Sequence, residues 1–366
     1  MMLRDFAAAL VFGMTSASIA AAPVLAETNR TCDPKKTLGV ERVVEIDSAN
    51  GPRIGQVQYK AIDFLEPGEV VLTFDDGPSR QTTPAVLDAL SAHCTKATFF
   101  MVGRMAISDP EMVRKVDALG HTVASHTWSH KNLARQSSQQ AEREVELGIS
   151  AITAALGKPI APFFRFPYLS DPRRVISHLE ERNQAILSID VDSYDWRARS
   201  RSIMFNNVLS QLKSRGKGII LFHDIQRVTA TNISALLDEL KERGYKVVHL
   251  VPKNTAATIA SYDRIAGEML AKREVAAAAK PLTTRSMVWP ISGKEPAETV
   301  VRPPEQESLP WTKTANGREA KDSRPNESRV TSAAPQPART PAARPAQQPR
   351  RSEPTLMELM FGPQFR

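Results

Sequence analysis

The sequence predicts an α/β fold in which about seven parallel strands form a closed or nearly closed β/α barrel between residues 70 and 252. Short, almost continuous apolar runs alternate there with longer amphipathic stretches, the pattern of a parallel sheet covered by helices on both faces. Glycines follow several amphipathic stretches, as expected where helices end. Seven strands in this alternation favour a barrel.

The individual elements follow from the same pattern. The predicted strands are the apolar runs at residues 70–74, 97–102, 121–124, 163–166, 185–191, 218–222 and 246–250. The predicted helices are the amphipathic stretches at residues 83–93, 110–119, 139–156, 172–182, 203–215 and 232–243. One more helix, rich in Ala, Lys and Glu, is predicted within residues 253–280.

An N-terminal extension, residues 27–69, precedes the barrel. Its two alternating runs, residues 40–46 and 54–59, flank the dipeptide Asn50-Gly51, which is typical of a two-residue hairpin turn. A hairpin packed on the barrel is therefore predicted. Cys32 and Cys94 could form a disulfide in an oxidising compartment, and two independent thiols are the alternative.

The two ends of the chain have a different composition. Residues 1–26 resemble a secretory signal peptide, with Arg4, an apolar stretch and a small-residue cleavage site at Ala26. An uncleaved anchor is the alternative, although small polar residues interrupt the stretch. Residues 281–366 are dominated by Pro, Ala, Arg, Ser and Thr and are predicted to be disordered. We therefore expect an exported protein, periplasmic or extracellular.

Composition narrows the class of partner. The 366 residues are 42% hydrophobic, which is sufficient for a sizeable core, and the formal charge of +8 is spread along the chain. No recognition helix and no basic surface with interleaved aromatic residues is evident, so we expect no nucleic-acid partner. A monomer is expected, and the basic tail could contact anionic envelope polymers.

Five polar segments lie at or just beyond the C-terminal ends of predicted strands, the edge where α/β barrels and open parallel sheets place their sites. One such segment would be ordinary in any strand–helix connection, but five in this order are not. They are T-F-D-D-G-P at residues 73–78, H-T-W-S-H at 126–130, R-F-P-Y at 165–168, D-S-Y-D-W at 192–196 and L-F-H-D at 221–224.

The first two segments contain candidate metal ligands. Asp75 and Asp76 are adjacent at a strand end, so one can bind a metal while the other acts as a base. His126 and His130, four residues apart, would lie on one face of a helical turn within reach of one ion. Two histidines and one carboxylate suit zinc in a hydrolase or iron(II) in an oxygenase. Oxygenases usually carry this triad on an antiparallel barrel, which the βα alternation does not support.

The third segment supplies groups that could position and stabilise charge. Arg165 can hold a carboxylate in its ionised form through charge-assisted hydrogen bonds. Pro167 stiffens the backbone before Tyr168, whose N–H could face a developing oxyanion.

The fourth and fifth segments supply a candidate acid. His223 follows a buried strand and is the natural general acid of this set. Asp195 could hold the His223 ring in one tautomer, and Trp196 could wall the site. A core aromatic is the alternative for Trp196.

The five segments resemble the motifs of the polysaccharide deacetylases, carbohydrate esterase family four, whose shared domain is named after nodulation protein B. The resemblance covers residues 70–250, and it departs from the family at Leu169, where the third motif often continues with Gly. It implies a distorted β/α barrel with fewer than eight strands. It also implies removal of N-acetyl groups from amino-sugar polymers or oligomers, such as chitin oligomers or peptidoglycan, with release of acetate.

The resemblance further implies a cofactor and residue roles. The cofactor would be a divalent metal, zinc or another such as cobalt, held by Asp76, His126 and His130. Asp75 would be the base, paired with Arg165, and His223 the acid, paired with Asp195. The Tyr168 N–H would bind the oxyanion, and the substrate pocket would be lined by Trp196, Leu221 and Pro167.

Three other functions are compatible with parts of the pattern. An O-deacetylase of an acetylated polysaccharide such as xylan could use the same site. An inactive carbohydrate-binding module would lack a ligand or the base, and none is missing here. A secreted scaffold could bind anionic envelope polymers through its basic tail, with the enzyme domain secondary.

Overall fold

The structure, a computed structural model, describes residues 32–33 and 35–278. The predicted signal peptide, residues 1–26, and the predicted disordered tail, residues 281–366, lie outside this part of the chain. No helix within the described residues combines the length and apolarity needed to cross a bilayer.

Ten strands and eight helices make up the described residues. The strands are β1 (Arg42–Ile46), β2 (Arg53–Ile54), β3 (Glu69–Asp75), β4 (Thr98–Met101), β5 (Thr122–Ser125), β6 (Phe163–Phe164), β7 (Ala185–Leu187), β8 (Val191–Asp192), β9 (Gly218–His223) and β10 (Lys246–Pro252). The helices are α1 (Thr83–Ala92), α2 (Gly103–Ser108), α3 (Pro110–Ala118), α4 (Ser138–Leu156), α5 (Arg173–Glu181), α6 (Arg201–Arg215), α7 (Arg227–Glu242) and α8 (Ala260–Ala278). Short 3-10 turns occur at Leu133–Arg135 and Pro167–Leu169.

All strand pairings are parallel, which confirms the predicted α/β fold. The pairings run in the order β2-β7-β6-β5-β4-β3-β9-β8, with β10 beside the start of β3 and β1 beside β10. Strands β7 and β8 lie near opposite ends of this row, yet only residues 188–190 separate them in the chain. The row therefore curls back on itself as a distorted barrel with a seam.

Asp190 lies at this seam and joins its two sides. Its Oδ2 accepts a hydrogen bond of 2.7 Å from the N–H of Ile219 on β9, and its Oδ1 accepts one from the N–H of Gln56, which follows β2. The single strand predicted over residues 185–191 is therefore wrong. The chain bends at Ser188, whose N–H donates to the Ile54 carbonyl. Before the bend, β7 pairs with β2 and β6, and after it β8 pairs with β9.

The predicted N-terminal hairpin is also wrong, because β1 and β2 do not pair with each other. Strand β1 pairs with β10 and β2 pairs with β7, in both cases in parallel. The turn between them has the expected conformation, with positive φ of 60° at Asn50 and 58° at Gly51. It packs so closely on α5 that a Cβ at Gly51 would lie 2.7 Å from the Glu180 Cα. The two strands are therefore separated because each one pairs with a different free edge, β1 with that of β10 and β2 with that of β7.

Alternation along β3 positions the site. Val70, Leu72 and Phe74 pack in the large apolar cluster that also contains helix residues, whereas Val71 packs in the second cluster with the inward side chains of the other strands. Because side chains alternate along a strand, Asp75 continues the inward set that begins at Val71. The C-terminal end of β3 therefore carries Asp75 at the mouth of the barrel.

The predicted disulfide is confirmed: Cys32 and Cys94 are bonded, with Cα atoms 5.9 Å apart and a sequence separation of 62. Such a crosslink stabilises a protein mainly by restricting the unfolded chain. We expect the Cys32→Ser/Cys94→Ser variant to lose about 3–4 kcal/mol of unfolding free energy relative to the oxidised protein. Urea denaturation of both proteins measures this loss. An unchanged midpoint and slope would contradict the prediction, and reduction of the unsubstituted protein serves as the control.

Candidate active site

The five segments meet at one end of the barrel. Asp75 ends β3 and pairs in register with His223, which ends β9. His126 directly follows β5 and Arg165 directly follows β6, while Asp195 lies three residues beyond β8. The parallel strands thus bring residues from distant parts of the sequence to a single edge.

Three buried side chains, Asp76, His126 and His130, form a compact donor set. One possible ligand atom from each lies within 4.8 Å of the others. The Asp76 Oδ1 is 3.2 Å from the His130 Nε2 and 3.6 Å from the His126 Nε2. This Oδ1 is buried and accepts no hydrogen bond from the described residues.

The two histidines lie in a loop rather than on the helical turn expected from their spacing, so that expectation is wrong. Thr127 and His130 have positive φ of 70° and 59°, and the Thr127 hydroxyl accepts the His130 N–H at 3.0 Å. The loop packs on α4, where a Cβ at Gly148 would lie 2.5 Å from the Thr127 carbonyl carbon. The Glu144 carboxylate also accepts the N–H and hydroxyl of Ser129. Backbone conformation and packing on α4 therefore direct both imidazoles to Asp76.

The donor set fits a divalent metal ion. Burial lowers the pKa of His126 to about 3 and also lowers that of His130, so both rings are neutral and can donate lone pairs at neutral pH. The His126 Nδ1 lies 2.7 Å from the Arg165 carbonyl oxygen and donates to it, which turns Nε2 to Asp76. A second hydrogen bond of this kind commonly orients metal-binding histidines.

Asp75 lies beside the donor set and is held by Arg165, whose side chain is 0% exposed. The Arg165 Nη1 donates to the Asp75 Oδ1 at 2.8 Å and to the Thr73 hydroxyl at 2.8 Å. Burial raises the pKa of Asp75 to about 6, against the opposing effect of the Arg165 charge. Its other oxygen, Oδ2, is 3.8 Å from the His126 Nε2. Asp75 thus has one tethered oxygen and one that faces the candidate metal ligands.

His223 also adjoins the donor set, next to Asp76. Its Nδ1 donates to the Asp195 Oδ1 at 2.6 Å, and its Nε2 is 4.0 Å from the Asp76 Oδ2. Burial alone would lower the pKa of His223, but the Asp195 charge and hydrogen bond outweigh it and raise the pKa to about 10. At neutral pH the ring is therefore protonated, with one N–H directed to the site.

The residues predicted to shape the pocket occupy different depths. Trp196 and Tyr168 are 54% and 43% exposed, whereas Leu221 and Pro167 are buried. Tyr168 has a positive φ of 59°, and its ring centroid is 4.7 Å from that of His130. The structure thus brings all eleven predicted site residues to the same end of the barrel.

Two supporting residues were missed from the sequence. The Thr229 hydroxyl donates to the Asp195 Oδ2 at 2.5 Å, but Thr229 lies inside α7 and no motif marks it. Buried Asp224 accepts the Thr83 hydroxyl, and burial raises its pKa to about 7. A Cβ at Gly77 would overlap the Asp224 carboxylate, so Asp224 packs against the loop that follows Asp76. Its position next to His223 was the available signal.

Comparison with known proteins shows that the chain is similar to polysaccharide deacetylases. The family model described as polysaccharide deacetylase matches residues 65–185. The chain is 36% identical over 179 residues to the peptidoglycan-N-acetylglucosamine deacetylase PgdA of Listeria monocytogenes, a match that covers 49% of this chain and 37% of that protein. It is 31% identical over 198 residues to a chitooligosaccharide deacetylase of a Bradyrhizobium species, covering 50% of this chain and 89% of the relative.

A solved structure agrees with these sequence matches. The peptidoglycan deacetylase of Bdellovibrio bacteriovorus superposes with a TM-score of 0.54 at 33% identity, covering 60% of this chain and 61% of the other. The present chain spans little more than a third of the length of the Listeria relative but most of the Bradyrhizobium one. On the extent of these matches, the chain belongs to the polysaccharide deacetylase family.

Proposed function

We propose that this protein is a metal-dependent hydrolase that removes N-acetyl groups from N-acetylglucosamine residues of a polysaccharide or oligosaccharide and releases acetate. The observation that carries the proposal is that a proton acceptor and a proton donor both adjoin the Asp76, His126 and His130 donor set. Asp75 can accept a proton, and protonated His223 can donate one. Relatives named as N-acetylglucosamine and chitooligosaccharide deacetylases support it.

Each group has a defined task in this hydrolysis. A bound divalent ion supplies a Lewis acid for the acetyl carbonyl and for the attacking water. Asp75 takes the proton of that water, and Arg165 keeps the carboxylate in place and favours its ionised form. His223 donates its Nε2 proton to the departing sugar amine, while Asp195 holds the ring. The Tyr168 N–H is proposed to stabilise the oxyanion.

These proton states predict a bell-shaped pH dependence of kcat/KM. Asp75 must be ionised, so the acidic limb should have its midpoint at about pH 6 or lower, because a bound cation further favours the carboxylate. His223 must be protonated, so the rate should fall as the pH approaches about 10. Asp195→Asn removes the charge that raises the pKa of His223 and should move the basic limb to lower pH. A basic limb that stays in place would contradict the His223 assignment.

The metal and the cellular location are further parts of the proposal. We propose zinc, since neutral imidazole and carboxylate ligands suit it, with cobalt or another divalent ion as the alternative. Export to the periplasm or extracellular space is supported by the Cys32–Cys94 disulfide, which needs an oxidising compartment. We propose residues 70–252 as the catalytic domain of a monomer, and contact of residues 281–366 with anionic envelope polymers.

Acetate release by the full chain tests the reaction. N-acetylglucosamine oligomers, peptidoglycan and acetylated xylan would be compared, each with added zinc and with a chelator. Metal-dependent release from either of the first two supports N-deacetylation, whereas release from xylan alone would indicate an O-deacetylase. Absence of both release and bound metal would favour a carbohydrate-binding module.

A further inference from the structure

A second concave surface adjoins the candidate active site. It is a cavity of about 410 Å³, and Asp195 and Trp196 form the wall that it shares with the site. The remaining lining comes from the starts of α6 and α7, which follow β8 and β9. Both helices therefore begin at the C-terminal edge of the barrel, the edge that carries the site. We call this surface the arginine cavity and define it by Trp196, Arg199, Arg201 and Arg227.

The arginine cavity has an uncompensated positive charge. Arg199, Arg201 and Arg227 line it, and none of them forms an ion pair with an acidic side chain in the described part of the chain. Asp195 is the acidic residue of the cavity, but its carboxylate does not neutralise the three arginines. Both Asp195 oxygens instead accept hydrogen bonds from the Nδ1 and backbone N–H of His223 and from the Thr229 hydroxyl.

The two helix starts add to this positive potential. The first N–H groups of a helix carry a partial positive charge that favours an anion. No side chain caps the start of α7, where Gln226 is the N-cap residue, while Ser200 caps α6. The Arg201 guanidinium carbon lies 4.6 Å from the centroid of the Phe205 ring, a cation–π contact.

Trp196 gives the cavity an apolar edge. Its ring is 54% exposed, and a flat aromatic surface suits the apolar face of a sugar. The combination of an exposed indole and arginines without acidic partners matches a sugar that carries a negative charge. Asp195 lines the cavity and also binds His223, so such a sugar would adjoin the one that loses its acetyl group.

We propose that the arginine cavity binds an anionic group, a carboxylate or a phosphate, on a sugar next to the deacetylated residue. This inference rests on the proposed function and deepens it, because it selects anionic glycans over neutral ones. Arginine binds carboxylates and phosphates through paired, charge-assisted hydrogen bonds. A neutral chitin oligomer would leave these donors unused.

The test uses the full chain and a matched pair of glycans. One is a strand in which N-acetylglucosamine alternates with a sugar acid whose carboxylates are free, and the other is the same strand with those carboxylates converted to amides. We expect kcat/KM to be about 10-fold higher for the charged strand, equivalent to about 1.4 kcal/mol. A phosphorylated strand distinguishes phosphate from carboxylate recognition. The preference should shrink at high salt, since exposed charges are screened.

The variants address the cavity itself. Arg199→Gln/Arg227→Gln should bring the ratio of the two kcat/KM values to about 1. Arg215→Gln is the control, because Arg215 is an exposed arginine in the last turn of α6, at the opposite end of that helix. It should leave the ratio unchanged. A double variant that keeps the full preference, or an unsubstituted protein without any, overturns the inference.

Binding measurements separate this inference from the proposed function. Calorimetry on the same charged and amidated strands reports recognition of the anionic group without any turnover. Tighter binding of the charged strand, lost in the double variant, would support the cavity even if no acetate were released. Acetate release from N-acetylglucosamine oligomers together with equal binding of both strands would retain the deacetylase and reject the cavity.

Discussion

Asp75→Asn is expected to lower the rate of acetate release by about 10²–10⁴-fold, the usual contribution of a general base. Asparagine has nearly the same shape, and its side-chain carbonyl can still accept the 2.8 Å hydrogen bond from Arg165. It cannot take a proton from water at any accessible pH. Asp76, His126 and His130 are unaltered in this variant, so bound metal should remain stoichiometric.

The measurement pairs turnover with metal content. Steady-state acetate release gives the rate, and elemental analysis after gel filtration gives the metal per chain. Asp88→Asn is the matched control, because Asp88 is an exposed carboxylate on α1. It should change neither quantity. Near-normal turnover in the Asp75 variant would show that another group acts as the base.

His126→Ala is expected to release the metal. Structural zinc sites in zinc-finger peptides bind with about 10–16 kcal/mol through four ligands, so one ligand contributes roughly 3–4 kcal/mol. Loss of the His126 imidazole should therefore weaken metal binding by about 10²–10³-fold. Turnover should fall with it, because Asp76 and His130 alone leave the ion weakly held. Competition with a fluorescent zinc chelator measures the affinity directly.

His178→Ala is the matched control for this prediction. His178 is a partly buried histidine on α5 that contacts Glu146, and Arg182 continues to pair with Glu146 when the imidazole is removed. Its metal affinity should equal that of the unsubstituted protein. Full metal affinity in the His126 variant would exclude His126 as a ligand.

Most barrel strands, and the meeting of the candidate site residues at one edge, could be predicted because both leave local signals. A strand buried on both faces is a short apolar run, and β3 is buried along its whole length. Because parallel strands end at one edge, polar residues placed after such runs are expected to meet. This is why Asp75 and His223, almost 150 residues apart in the chain, could be assigned to one site and are paired in register.

The errors arise where tertiary contacts determine the local structure. Asn50-Gly51 does form the predicted turn, but the choice of strand partners depends on the free edges of β10 and β7, which no short segment encodes. The bend at Ser188 depends in the same way on the approach of β2. Thr229 was missed because a threonine inside a helix carries no pattern, and only its contact with Asp195 reveals its role.

Arg165 connects the candidate active site with the stability of the fold. Its guanidinium lies in the barrel interior, stacked 4.2 Å from the centroid of the Phe100 ring, and binds Asp75 and the carbonyl of Ser188. Removing one partner of a buried ion pair typically destabilises a protein by about 3–5 kcal/mol. An apolar substitution at Asp75 would therefore lower stability as well as remove the proposed base. Selection for folding alone should therefore disfavour apolar substitutions at Asp75 unless Arg165 changes as well.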